Sequence, residues 1–436
     1  MAVEPTPTPD ETGEGHSAVV ETTTIRAEKL IGGGRALGHA GGETWMIQGA
    51  LPGELVRAIP TRRRAGIVES ATVELVADPS PARLDLPCRH SGSCGGCDWP
   101  HVHPNAGAEL KRTVASEAAA RFPEIAERLS TAPVTPSPPG YRLRNRLHWD
   151  PDSGRFGFYR SRSWAVAEID DCRIISTSLT RILPGLTEVL ARRCPRRVDV
   201  ETLEGAGQVI AALRPARGGP KRIPIAWIPD RGDCPALDGL HILDTANRLH
   251  RCWGRDRVTM DLPVPLDVPL GSFFQGNLHL VRRLFDTVGA LVGPGEDPVI
   301  DLHGGVGFLA AAAHTAGRSN LTVVEPNPGA AAAARTNLPN AAVSVSTAEA
   351  FVHEHGLPRR SVVITDPPRS GLTAALRDRL VRHRPRRVIM LGCDPSTWSR
   401  DTARLLEAGA VLDHVELVDL FPFTHHVEVL AALEWT

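Results

Sequence analysis

Pro298-Val299-Ile300-Asp301-Leu302-His303-Gly304-Gly305-Val306-Gly307-Phe308 joins an apolar run to a carboxylate, a glycine-rich turn and an Ala-rich stretch at 308–316. This is the pattern of a buried strand feeding a helix through a turn that tolerates little side-chain bulk. The same alternation continues to the end of the chain. Further apolar strand runs lie at 321–325, 343–346, 362–365, 387–391 and 415–420, and helical stretches at 329–338, 373–383 and 396–408. Residues 428–433 add a last, antiparallel strand. Strands alternating with helices predict an α/β, doubly wound parallel sheet whose ligands sit at the strand C-terminal ends.

Upstream the pattern differs. Short β-rich runs at 22–25, 44–47, 54–59 and 70–76, punctuated by Gly32-Gly33-Gly34, predict a small barrel of OB type, a platform for single-stranded nucleic acid. A helix is expected over 105–121 and a Pro-rich linker over 132–139. Residues 141–260 read as mainly β, with strands at 147–150, 155–159, 198–203, 208–213 and 223–228. The chain of 436 residues is long enough for two to three domains. The expected division is a disordered tail at 1–18, the barrel at 19–78, a cysteine-bearing central β domain at 79–260 and the α/β domain at 261–436.

The charged fraction is 23% and the formal net charge −1, so any nucleic-acid contact must come from local patches. Only Lys29, Lys111 and Lys221 of the 49 basic residues are lysines. No apolar run approaches the roughly 18–20 residues that span a bilayer, and Met1 to His16 lacks the basic and apolar regions of an export signal. The expectation is a cytoplasmic protein with reduced thiols, no membrane segment and, by default, a monomeric state.

The glycine turn belongs to nucleotide-type ligands in general. Two carboxylates tilt it toward S-adenosylmethionine. Glu325 ends the second strand, 24 positions after Asp301, where it would accept bonds from both ribose hydroxyls. Asp301 would repel a pyrophosphate but suits a cationic sulfonium. The fourth strand ends in Thr365-Asp366-Pro367-Pro368-Arg369, a carboxylate and a rigid wall on the substrate side. An aromatic after Pro-Pro would suit amino methylation; Arg369 stands there instead.

Cys393 ends the fifth strand, just before a helix, on the rim where the cofactor is expected, and the helix N-terminus is expected to lower its pKa. Glu428 begins the last strand within reach of that rim. A thiol and a base facing a methyl donor are what carbon 5 of uracil requires. Thiolate addition at carbon 6 concentrates electron density at carbon 5, and a base then removes the carbon 5 proton.

Cys88, Cys94 and Cys97 are close together, and Cys172 follows 75 positions after Cys97. Three near thiols and a distant fourth suit an iron–sulfur cluster or a tetrahedral zinc, and spacing alone leaves both open. Cys194, Cys234 and Cys252 read as packing or surface thiols.

The motifs Phe274-Gln275-Gly276-Asn277, 301–307, Asp366-Pro367-Pro368-Arg369-Ser370-Gly371, Gly392-Cys393-Asp394-Pro395-Ser396-Thr397 with Arg400-Asp401, and Phe421-Pro422 through His426-Val427-Glu428 resemble the RNA 5-methyluridine methyltransferase family. That family includes bacterial 23S rRNA and tRNA enzymes. The resemblance implies a class I methyltransferase domain with Cys393 as nucleophile and Glu428 as base. It further implies that Gln275, His303, Glu325 and Asp366 line the cofactor and target-base site. The C-x5-C-Gly-Gly-C spacing and the motif at 49–54 resemble the rRNA branch. They imply a [4Fe–4S] cluster on Cys88, Cys94, Cys97 and Cys172 behind a TRAM domain, and rRNA rather than tRNA as partner. The chain departs from the family at Asp394, where Asn is usual, and at His303-Gly304. Asp394 is expected to raise the pKa of Cys393.

Arg and aromatic residues interleave at 141–146 and 155–164, and Arg62-Arg63-Arg64 lies in the barrel; these predict an RNA track. Two other readings remain at this point. One is an RNA cytosine-C5 methyltransferase, which often places a cysteine after the fourth-strand proline, where this chain has none. The other is an iron–sulfur RNA-binding or redox-sensing protein with a degenerate methyltransferase domain.

Overall fold

The computed structural model describes residues 21–85, 88–161, 163–217, 220–246 and 248–435; the tail expected at 1–18 lies outside them. The chain divides into two compact units, residues 1–29 with 36–79, and residues 30–35 with 80–436. In the first, strands Thr23–Arg26, Leu55–Arg64, Ile67–Ala77, Glu43–Gln48 and Arg35–Ala40 lie side by side in that order. Ile25, Trp45, Ile47, Val56 and Val68 point inward from them. At the turn before Leu55, the fully buried Glu54 accepts the Leu51 N–H at 2.8 Å. Arg63 pairs with Glu43, and Arg62 lies 3.9 Å from Glu69. The expected basic run is therefore partly neutralised within its own sheet.

The second unit holds two large sheets. Five parallel strands, Ala342–Ser344, Leu321–Val324, Val299–Asp301, Val362–Thr365 and Arg387–Gly392, form the core of an eight-stranded sheet. The chain reverses direction of winding at Val299–Asp301, which creates the ligand crevice of this sheet class. Strand Glu428–Glu434 then inserts antiparallel between Arg387–Gly392 and Val411–Val418. Both faces are covered, so successive strand residues enter opposite cores: Val299, Ile364 and Ile389 one, Ile300, Val363 and Val388 the other.

Two expectations need correction here. The Pro-rich stretch is no linker, because strand Val134–Thr135 pairs parallel with Val411–Val418 as the edge of this sheet. Its prolines suit an edge, where no ladder N–H is lost. Helices Pro104–Ala118 and Pro123–Thr131 precede it and send Ala115, Ile125 and Leu129 into the same core.

The other sheet has seven strands in the order Val166–Glu168, Arg155–Tyr159, Arg144–Asp150, Val198–Gly205, Gln208–Pro215, Gly239–Leu243, Leu249–Gly254. Helix Thr177–Arg193 packs on it through Leu179, Ile182, Leu186 and Leu190, although Pro184 lies inside that helix. The strand expected at 223–228 is instead a short 3-10 turn, Ile225–Trp227, with Ile225 exposed. Cys194 and Cys234 are buried in this core and Cys252 is exposed. No helix among the described residues is long and apolar enough to cross a membrane.

Lys111 is fully buried on Pro104–Ala118, paired with the equally buried Asp419 and donating to the Phe421 carbonyl at 2.9 Å. Phe421 N–H donates in turn to Asp419 at 3.2 Å. Removing one partner of such a pair strands the other charge, at a cost of about 3–5 kcal/mol. Lys111→Met is expected to lower urea-unfolding stability by about that amount, and Lys111→Met with Asp419→Asn by clearly less. Equal losses in the single and double variants would mean that packing, not charge, accounts for the site.

Candidate active site

The C-terminal ends of the parallel strands open on a cavity of about 670 Å³. Gln275, His303, Glu325, Asp366, Cys393 and Glu428 all line it. Its walls are completed by Arg142, Arg144, Phe273, Phe421 and the Pro367-Pro368-Arg369 corner.

The glycine turn is shaped by close packing. A Cβ on Gly304 would stand 2.4 Å from Val323 Cγ1, and Gly305 and Gly307 have φ of 53° and 90°. Glu325 holds the turn: its carboxylate accepts Gly305 N–H at 2.9 Å and Asn327 N–H at 2.7 Å. Asp301, whose position in sequence suggested a place beside the sulfonium, does not line the cavity. It lies fully buried beneath the turn, accepts Ala310 N–H at 3.2 Å through Oδ2, and leaves Oδ1 without a partner. Burial, then the charge of Asp366, pushes its pKa up to about 7.

His303 shares a hydrogen bond with Thr365 Oγ1 at 2.8 Å, and burial lowers its pKa to about 4, so it is neutral near pH 7. Gln275 donates to Asp366 at 2.8 Å. Asp366 and Glu428 are buried carboxyls. Burial raises Asp366 to about 6, while burial and then the Asp366 charge raise Glu428 to about 8.

Cys393 does not have the lowered pKa expected at a helix N-terminus. Burial first, then Glu428 and Asp366, push it up to about 11, with Arg369 pulling the other way. Asp394 is not among the causes. It is the N-cap of helix Pro395–Glu407, its carboxylate accepting Thr397 N–H at 3.0 Å. Asp and Asn are equivalent in that task, which accounts for the departure at this position.

The loop before Glu428, part of the motif that carries the family resemblance, supplies further residues whose roles sequence did not define. Phe421 lines the cavity, and the buried Phe423, at φ 64°, lines the cysteine cavity instead. His425 bonds Asp98 at 2.8 Å and His426 meets the Arg369 guanidinium at 3.3 Å. The ligand atoms of Asp98, His425 and His426 lie within 4.8 Å of one another. A guanidinium already donating to His426 leaves this trio a hydrogen-bonded brace rather than a cation site.

Cys88, Cys94, Cys97 and Cys172 line a second cavity with Phe158, Ile169, Ile174 and Phe423. Arg142, read from sequence as a phosphate contact, is half-buried between the catalytic cavity and these thiols, its charge acting on Cys94, Cys97 and Cys172. Tyr141 is fully buried, its hydroxyl donating to the Pro422 carbonyl at 3.3 Å. Arg144 is likewise committed, to the buried Glu201.

Curated relatives decide the family. A 23S rRNA (uracil(1939)-C(5))-methyltransferase of Halomonas elongata is 31% identical over 431 residues, covering 90% of this chain and 85% of its own. One of Chromohalobacter salexigens is 32% identical, covering 94% and 88%. The chain belongs to the RNA 5-methyluridine methyltransferase family. The family model described as tRNA (Uracil-5-)-methyltransferase matches residues 359–435, which include Cys393 and Glu428. The α/β methyltransferase fold matches the crystal structure of Pyrococcus abyssi tRNA (uracil-54, C5)-methyltransferase in complex with S-adenosyl-L-homocysteine. The TM-score is 0.73 at 22% identity, over 94% of this chain and all of that one.

Asp301 offers a test of the turn. A carboxyl raised in the folded state contributes stability that is complete below its unfolded pKa, about 4, and lost as pH rises through its folded value. The melting temperature of the ligand-free protein is expected to fall between about pH 4 and pH 7, more shallowly in Asp301→Asn. Parallel curves would show that Asp301 does not carry the effect.

Proposed function

We propose that this chain methylates carbon 5 of a uridine in 23S rRNA, using S-adenosylmethionine. The observation that carries this reading is the convergence of Cys393 and Glu428 on one cavity with Gln275, His303, Glu325 and Asp366. Relatives of similar length carry 23S rRNA uracil-C5 methyltransferase names, which favours rRNA over tRNA.

Cys393 Sγ bonds to uracil carbon 6 as its proton leaves to a carboxylate of the site, and the ring π-pair moves to an enolate at carbons 5 and 4. The bound cofactor supplies an electrophilic methyl carbon, leaving as a neutral thioether. Carbon 5 takes the methyl group with the enolate pair. Glu428 then accepts the carbon 5 proton; the freed pair restores the ring double bond and expels the Cys393 thiolate. Asp366 and Gln275 form a fixed polar wall for the base. Glu325, holding the glycine turn, still has lone pairs for ribose hydroxyls, and neutral His303 can meet the ligand without adding charge beside a sulfonium.

Incubation with RNA carrying 5-fluorouridine is expected to trap an adduct on Cys393, because fluorine cannot leave as a cation. An adduct persisting in Cys393→Ala would sink the mechanism. Glu428→Gln is expected to abolish turnover while still forming adduct on ordinary RNA. In the wild type, kcat/KM is expected to rise with pH through about 8, as Glu428 loses its proton.

The four-cysteine cavity fits a [4Fe–4S] cluster. No three of its sulfurs lie within 4.8 Å of one another among the described residues. A single zinc with bonds of about 2.3 Å holds its thiolates about 3.8 Å apart, so a larger group suits this spacing better. The cradle favours anionic sulfur: Gly96 N–H donates to Cys94 Sγ at 3.3 Å, the N–H groups of Ile174 and Ile175 reach Cys172, and Arg142 adds its charge. Without a metal, burial drives Cys97 up to about 12. Anaerobic preparation is expected to give a brown protein with about four irons, and Cys97→Ser to lose them. A colourless zinc protein would overturn the assignment.

The first unit reads as a TRAM domain of OB type, with the turn at 49–54 as its signature, and the protein as a cytoplasmic monomer.

A further inference from the structure

The seven-stranded sheet carries a polar face that the catalytic cavity does not use. Arg144, Arg146 and His148 alternate along one face of strand Arg144–Asp150. Arg144 lines the cavity at one end. His148, some 14 Å further on, stacks on Tyr159 with ring centroids 3.5 Å apart. Tyr159 meets Trp164 edge-on at 5.2 Å, and Arg217 lies over the Trp164 ring at 4.7 Å. The ladder therefore leads from the cavity to an indole that is 58% exposed.

Two backbone bonds fix the segment that carries Trp164. Arg160 N–H donates to Ala165 O at 2.8 Å, and Gly95 N–H donates to Tyr159 O at 2.9 Å from the cysteine loop. Guanidinium groups cluster around it. Arg144, Arg146 and Arg214 all share the single buried Glu201. Arg197 is matched by Asp150 at 3.4 Å, His148 by Asp199 at 2.8 Å and Arg155 by Glu168 at 3.4 Å. Arg217 forms no ion pair among the described residues. Arg146, Arg197 and Arg217 all act electrostatically on the Tyr159 hydroxyl, so they surround one point. An aromatic face beside surplus guanidinium is the chemistry that holds a single-stranded nucleotide.

We propose that this face binds the RNA strand flanking the target uridine, with one base stacked on Trp164 and its phosphate met by Arg217 and the neighbouring Arg146 and Arg197. The site rests on the reading of RNA as substrate, and it grips a nucleotide outside the catalytic cavity.

The test uses the full-length protein, a fluorescein-labelled single-stranded RNA for binding, and 23S rRNA with labelled S-adenosylmethionine for turnover. Trp164→Ala and Arg217→Ala are each expected to weaken RNA binding and raise the KM for rRNA by about tenfold or more, with kcat and melting temperature unchanged. Trp164→Phe should restore most of the loss. Arg217→Ala should also reduce the slope of log Kd against log salt by about one. Unchanged binding and KM in Trp164→Ala would overturn the site. So would displacement of RNA by polyglutamate as readily as by unlabelled RNA, which would assign the face to an acidic protein partner. Wild-type protein that binds RNA through Trp164 but transfers no methyl group would keep this site and overturn the methyltransferase reading; wild type that binds no RNA would overturn the site.

Discussion

One antiparallel register governs the active site. Strand Glu428–Glu434 pairs with Arg387–Gly392 so that Arg387 faces Glu434 and Gly392 faces Val429. One step further along the same ladder sets Cys393 against Glu428. Cys393 and Glu428 lie 35 positions apart in the chain and come side by side because the last strand runs against the others. A one-residue slip would turn Glu428 to the opposite face of the sheet. Register here is fixed by the two apolar cores, since Val429, Ala431 and Leu433 enter one and Leu430 and Ala432 the other.

The consequence of that register is electrostatic. Asp366, Glu428 and Cys393 are three acids on one cavity; the Asp366 charge opposes ionisation of Glu428, and both carboxylates oppose ionisation of the thiol. Burial and mutual repulsion keep the thiol and Glu428 protonated near neutrality. Only Arg369 favours charge on both, and it is itself held by His426. The thiol and Glu428 of the ligand-free site are thus uncharged near neutrality, which lowers the cost of admitting an uncharged base.

The loop that delivers Glu428 has little regular structure and is braced from outside its own sheet. Lys111 and Asp419 fix its start, Tyr141 donates to Pro422, and Asn277 donates to Leu420 O at 2.8 Å. Trp99 N–H donates to Phe423 O at 2.9 Å and Asp98 bonds His425. Asp98 and Trp99 directly follow Cys97, and Phe423 lines the cysteine cavity. The four-cysteine region and the loop leading to Glu428 therefore share one piece of packing. A buried ion pair such as Lys111–Asp419 contributes less to stability than to fixing one arrangement, and a catalytic loop is where a single arrangement matters.

Sequence revealed what depends on local pattern and missed what depends on partners. The parallel strands were legible because burial on both faces makes them continuous apolar runs, and residues 362–365 match the strand found. The glycine turn and the strand-end positions of Asp366 and Cys393 followed from the same pattern. Helix Thr177–Arg193 was hidden by Pro184, which reads as a breaker. The edge strand Val134–Thr135 was hidden by its prolines. Asp301 was assigned to the ligand because nothing in sequence shows that its carboxylate caps Ala310 beneath the turn. Arg144 looked like a phosphate contact because its partner, Glu201, lies 57 positions away.

That last error carries the more general point about charge. A chain with net charge −1 cannot hold RNA by its overall field, and a run of arginines does not by itself make a patch. Arg57 and Arg63 in the first unit are each matched by a glutamate across the sheet. Arg377 and Arg400 share Asp401 on helix Pro395–Glu407. What remains available is decided by where carboxylates are outnumbered. Three guanidiniums on one buried glutamate, next to an arginine resting on an exposed indole, make such a place. Because Glu201 is 2% exposed, it cannot turn outward to repel a phosphate, so the excess charge is fixed on the face that leads into the catalytic cavity.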